Sequence, residues 1–238
     1  QLVDKNALAL GSTSATSLEV TAGGDVTQTT PLVISGNTKV NAGAGAVTLT
    51  NANNDFSTLD VTAASAQVTD SNALSLTLAT TGAAAVSAGA ALDVKGSAGS
   101  LATTAGATSF GATTVTGALT VTANGNVTQT GALVAGPGSS INAGANSVTL
   151  ADAGNNFNGT LTVNAGATTL VDANDLDVKL ATAATKLTAG GALTVSGTAT
   201  DLNTQAAATS FGTTTATGTW TVNAAGAVTQ SGAITAPS

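Results

Sequence analysis

Self-similarity at two scales constrains this chain more than any other feature. Val26-Thr27-Gln28 recurs as Val127-Thr128-Gln129 and again as Val228-Thr229-Gln230, each step being 101 residues. Thr108-Ser109-Phe110-Gly111 recurs 101 residues later as Thr209-Ser210-Phe211-Gly212, and Phe56 and Phe157 share that offset. A fixed long period belongs to repeat architectures, in which each unit packs mainly on its neighbours. The chain therefore reads as one continuous array over residues 1–238. Long units fall at about 26–126 and 127–227, with a partial unit at each end.

A shorter period lies inside the long one. An apolar residue, then Thr, Asn or Ser, then Ala and usually Gly, appears at Val20-Thr21-Ala22-Gly23, Val40-Asn41-Ala42-Gly43, Ile141-Asn142-Ala143-Gly144 and Leu187-Thr188-Ala189-Gly190. Five such steps fit each 101 residues, which predicts a small period of about 20. Between these punctuation marks apolar residues alternate, as in Leu18-Glu19-Val20 and Leu176-Asp177-Val178-Lys179-Leu180. Alternation at period two with Val and Thr specifies β-strand. Ala79–Leu92 is rich in a helix-favouring residue. Its counterpart Ala181–Leu193 contains Lys186-Leu187-Thr188 and Gly190-Gly191, so both read as strands. A step of this size cannot bury an apolar face alone, whereas stacked steps bury a continuous thin core. The predicted fold is all-β: a parallel β-helix, or β-solenoid, with about 20 residues and about three short strands per coil. An antiparallel sandwich explains neither the 101-residue register nor the thin core.

Composition narrows the function classes. Charged residues are 7% of the chain, against roughly 25% in an ordinary soluble domain. Thr, Ser, Asn and Ala must therefore make the surface. The charges are eleven Asp, Glu19 and five Lys, with no Arg, for a net charge of -7. Such a chain is poorly suited to nucleic acid. Aromatics are only 2%, which suits a narrow interior whose opposite walls lie close together. With no Cys, disulfides and thiolate metal sites drop out. No window approaches ~18 consecutive apolar residues, so no helical membrane span is expected. No basic-then-apolar leader precedes Gln1, and the chain is expected to be a mature or excised piece.

The acidic motifs are candidates for chemistry and are read as turns. Asp-x-Asn-x-Leu occurs at Asp4/Asn6/Leu8, Asp70/Asn72/Leu74 and Asp172/Asn174/Leu176. Their unequal spacing suggests a three-coil unit into which two coils have been inserted. Three such sites could bind calcium, but Asp and Asn also bond their own backbone in turns. The calcium-binding Gly-Gly-x-Gly-x-Asp nonapeptide is absent. Asn53-Asn54 and Asn155-Asn156 are likewise read as turns. The densest acidic cluster is Asp172, Asp175 and Asp177, and a glycosidase needs two carboxylates facing one sugar bond. Alternation instead points Asp177 outward beside Lys179, as Asp93 lies beside Lys95. Without His, Cys or Arg, common bases and nucleophiles are missing. No catalytic, cofactor-binding or metal-binding residue is assigned, and no cofactor is expected. Thr-x-Thr pairs at Thr27/Thr29, Thr48/Thr50, Thr120/Thr122 and Thr128/Thr130 could form an ice-binding ladder, but they do not recur in every coil.

Val3-Asp4-Lys5-Asn6-Ala7-Leu8-Ala9-Leu10-Gly11, followed by Leu18-Glu19-Val20-Thr21-Ala22-Gly23-Gly24-Asp25-Val26-Thr27-Gln28, resembles the repeats of large exoproteins similar to filamentous haemagglutinin. Val47–Phe56 fits the same pattern. The resemblance covers essentially the whole chain. The amino-terminal secretion domain of that family, with its Asn-Pro-Asn motifs, is not seen here. The resemblance implies a right-handed β-helix, secretion to the surface of a Gram-negative bacterium, and a part in adhesion, biofilm or filament building. The expected role is a non-catalytic rod or stalk segment. The alternatives are a carbohydrate- or cell-binding module using an exposed strand face and, as a minor reading, an ice-binding solenoid. Expected partners are further copies, end-to-end or side-by-side, and host-cell or matrix glycans.

Overall fold

A computed structural model describes residues 1–237. It resolves into two compact units, residues 1–116 and 117–237. Each is a parallel β-solenoid whose strands pair with the strands one turn before and one turn after. No helix among the described residues is long and apolar enough to cross a membrane.

In the first unit one inward column runs Val20, Val40, Val61, Leu78, and the next along the same strands runs Leu59, Leu76, Val94, Phe110. These side chains are at most 2% exposed. Alternation places them inward and their neighbours outward, as the sequence predicts: Leu18–Ala22 reads buried, exposed, buried, half-buried, buried. The Ala-rich stretches also form strands, Ala83–Ala88 and Ala184–Ala189.

The turns are shorter and less uniform than expected. Successive steps are 20 residues from Val20 to Val40, 21 from Val40 to Val61, 17 from Val61 to Leu78, 18 from Leu76 to Val94 and 16 from Val94 to Phe110. The longer turns carry three strands. Their third, short strand is Thr13–Ala15, which pairs with Leu32–Ile34, which in turn meets Asp55–Phe56. From Ser65 onward each turn of this unit holds two strands. The second unit repeats this change, with steps of 20 and 22 residues to Ile141 and Val163, then 17 to Leu180.

The long strands of the two-strand turns bend at glycine. Gly96 and Gly197, at equivalent places 101 residues apart, have φ of +108° and +98°. A Cβ there would lie 2.0 Å from the Leu78 carbonyl oxygen or 2.1 Å from that of Leu180. Both the left-handed backbone and the close approach of the preceding turn require glycine. The pairing register slips by one residue beside each of them.

The expectation of five coils per 101 residues also needs revision. In the second unit the column from Val121 runs through Ile141, Val163, Leu180, Gly197 and Thr214, five turns in 93 residues. Val222, the equivalent of Val121, lies one strand further on. It stacks on Thr204, Leu187 and Leu170, on the other sheet. The long repeat is thus five turns plus one strand. The sequence period was found correctly, but the division into five equal coils took the longest turns as typical.

Candidate functional site

The polar residues singled out in the sequence sit at the corners of the turns. Their oxygens bond backbone. Asp4 Oδ1 accepts the Asn6 N–H at 2.8 Å, closing a local turn. Asp70 does this for Asn72 at 2.9 Å, and its Oδ2 accepts the Phe56 N–H at 2.6 Å. Asp172 repeats both bonds, with Asn174 at 2.7 Å and Phe157 at 2.7 Å. Asp70 and Asp172 thus clamp the preceding turn to their own. They are 2% and 1% exposed. Burial pushes both carboxyl groups above the usual carboxylate range, opposed by the two backbone N–H bonds that favour the charged form.

The other acids are used similarly. Asp25, Asp175 and Asp201 accept the N–H groups of Ala46, Ala192 and Thr219 in the following turn, at 2.8, 2.7 and 2.6 Å. The cluster Asp172, Asp175, Asp177 does not converge on one point. Asp172 is buried, Asp175 lines a polar groove of about 560 Å3, and Asp177 accepts the Thr160 hydroxyl on the outer face. Neither Asp172 nor Asp177 lines that groove. Among the described residues no group of three or more acidic side chains is placed to hold a metal ion.

Asn54 and Asn155 are the residues that sequence reasoning undervalued. They are wholly buried, not merely turn-forming. Asn54 Oδ1 accepts from Gln28 Nε2 at 2.8 Å and from the Leu32 N–H at 2.9 Å. Its Nδ2 donates to Gln28 Oε1 and to the carbonyls of Leu49 and Thr69, at 2.8, 3.2 and 3.1 Å. Asn155 repeats the network with Gln129, Leu133, Leu150 and Val171. This explains the recurring Val-Thr-Gln. Its Val faces inward, its Thr outward, and its Gln locks the asparagine of the next turn. The available signal was the constant 26-residue separation of Gln and Asn in both copies.

The threonine pairs do not form an extended ladder. Thr27 lies beside Thr48, but the row continues through Gln67, Ala85 and Ala102. In the second unit the row from Thr122 runs to Asn142 and Asn164, whose amides hydrogen-bond at 3.0 Å.

One family model, described as repeats of unknown function (DUF5649), matches residues 1–63, 96–164 and 201–237. The first two matched segments end 101 residues apart. The stretches between them, 64–95 and 165–200, begin where each unit changes from three-strand to two-strand turns. This agrees with a three-coil unit carrying inserted coils. No curated protein and no solved structure matches the chain.

Proposed function

Because the chain belongs to this family of repeats, which matches most of its length, we propose that it is a structural, non-catalytic segment of a large secreted or cell-surface protein, resembling the stalk of filamentous haemagglutinin-like exoproteins. The observation that carries this reading is the use of its carboxylates. Asp25, Asp70, Asp172, Asp175 and Asp201 each hold a backbone N–H of an adjacent turn. A catalytic acid or base must be free to exchange its proton with a substrate. These side chains are committed to stacking one turn on another. Such a segment displays or spaces other parts of a protein and associates with further copies of itself.

Binding of host-cell or matrix glycans through an outer strand face is the second reading. It is favoured by the polar groove beside Asp175, which also carries Asn156, Asn158 and Asn174. A glycan array probed with the chain separates the two. Uniform silence supports the scaffold, whereas a specific signal abolished by Asn158→Ala and Asp175→Ala supports the binding module. Immunogold labelling of the producing bacterium tests the surface location, and label confined to the cell interior contradicts it.

A further inference from the structure

The first unit carries an ordered row of charges in a chain that has very few. On one sheet face, Glu19, Lys39, Asp60, Thr77 and Lys95 are direct neighbours from turn to turn. The four charged members are exposed and Thr77 is half-exposed. The row therefore reads minus, plus, minus, neutral, plus along five turns. The flanking rows are short and polar, with Thr58 and Ser75 on one side and Asn41 and Thr62 on the other. Long side chains stand in the middle of a flat face whose edges let a second surface approach.

Stacking of the turns does not need these charges. The equivalent row of the second unit is Thr120, Ser140, Thr162, Lys179, Ser196, and it makes the same parallel pairing. Exposed ion pairs within one face are also worth little, about 0.2–1 kcal/mol. The charges of the first unit thus call for a use beyond the fold.

We propose that this face binds the same face of a second copy, about a two-fold axis along the strands between those of Lys39 and Asp60. In that arrangement the row meets itself in reverse. Lys39 faces the Asp60 of the other copy and Asp60 faces its Lys39, so the contact contains the pair twice, as a two-fold interface requires. Glu19 then meets the neutral Thr77. An axis through Lys39 or through Asp60 instead places like charges together. The covered face is small, roughly 400 Å2 for five strands ~4.8 Å apart and three outward rows, about half of what a stable complex buries per partner. The contact is accordingly weak, sensitive to salt, and effective where many chains lie side by side. The assignment deepens the scaffold reading and rests on it only for its biological use.

Charge exchange tests it by sedimentation at high protein concentration and low ionic strength. The unaltered chain self-associates, and about 0.5 M salt reverses this. Lys39→Asp alone and Asp60→Lys alone each weaken the association by about tenfold or more, because like charges then meet twice. An equimolar mixture of the two variants recovers it, since every position again faces its opposite. Loss of a merely intramolecular pair would not be repaired by mixing. A chain that stays monomeric, a mixture no better than its components, or an Asp60→Lys variant that associates like the unaltered chain overturns the proposal. In each of these cases the scaffold reading stands or falls separately, on the glycan array.

Discussion

Asp172 illustrates how one side chain joins local and tertiary structure. It closes a turn onto Asn174, caps Phe157 in the preceding turn, and does both while almost fully buried. Its raised carboxyl pKa has a definite sign. The folded chain binds this proton more tightly than the unfolded chain, so the group's contribution to stability falls as pH rises from the ordinary carboxylate value through the raised folded value. Asp172→Asn removes that component but keeps only one acceptor for two N–H donors, which costs about 1–3 kcal/mol. Urea denaturation across this window should show the variant less stable, with the negative slope of stability against pH reduced. Identical slopes would contradict the assignment. The neighbouring pair tests facing. Leu176 is 1% exposed, so Leu176→Asp buries an unpaired charge and should disrupt the second unit by several kcal/mol, on the order of 3–5. Asp177→Asn should stay within about 1 kcal/mol. Equal losses of melting temperature would sink the alternation on which the fold rests.

At the scale of strands and corners, Asn155 and Gln129 hold a three-strand turn where no regular ladder reaches. Asn155→Ala leaves the Leu133 N–H and the Leu150 and Val171 carbonyls without this partner. The expected loss is about 3 kcal/mol or more, readable as a lower urea midpoint, while Asn156→Ala should change stability by less than about 1 kcal/mol. A harmless Asn155→Ala would show that the network is incidental. The strands themselves were legible because period two is a property of neighbouring residues: Leu18-Glu19-Val20 already states which side faces the core. The corners were less legible. Asn54 looks like any turn asparagine until the turn carrying Gln28 is laid beside it, and that juxtaposition depends on a turn length the local pattern does not state. Gly96 and Gly197 were similarly hidden, since a glycine that bends a strand and one that ends it have the same local sequence.

For the whole molecule, the 101-residue period announced a stacked array and the low aromatic content a thin core, and both describe the structure of each unit. The non-integral relation between period and turn was not legible, because it arises from the alternation of 20–22 and 16–18 residue turns. The candidate sites were legible to a similar degree. Asp-x-Asn-x-Leu was correctly read as a turn, but its clamp on the preceding turn requires the register. The central claim is that one turn is the modular unit and depends chiefly on its neighbours. Deleting residues 188–204 removes 17 residues and joins Leu187 to Gln205, which the native register already places beside Thr188. Deleting only 188–192 removes the Gly190-Gly191 corner and makes Leu187 and Leu193, both fully buried, adjacent in sequence, so alternation forces one of them outward. Circular dichroism with thermal melting of these two variants is the most direct test. The account predicts that the 17-residue deletion keeps the β-signal per residue and a melt close to that of the intact chain, while the five-residue deletion loses signal and melts lower. A well-folded five-residue deletion beside a disordered 17-residue one would contradict it.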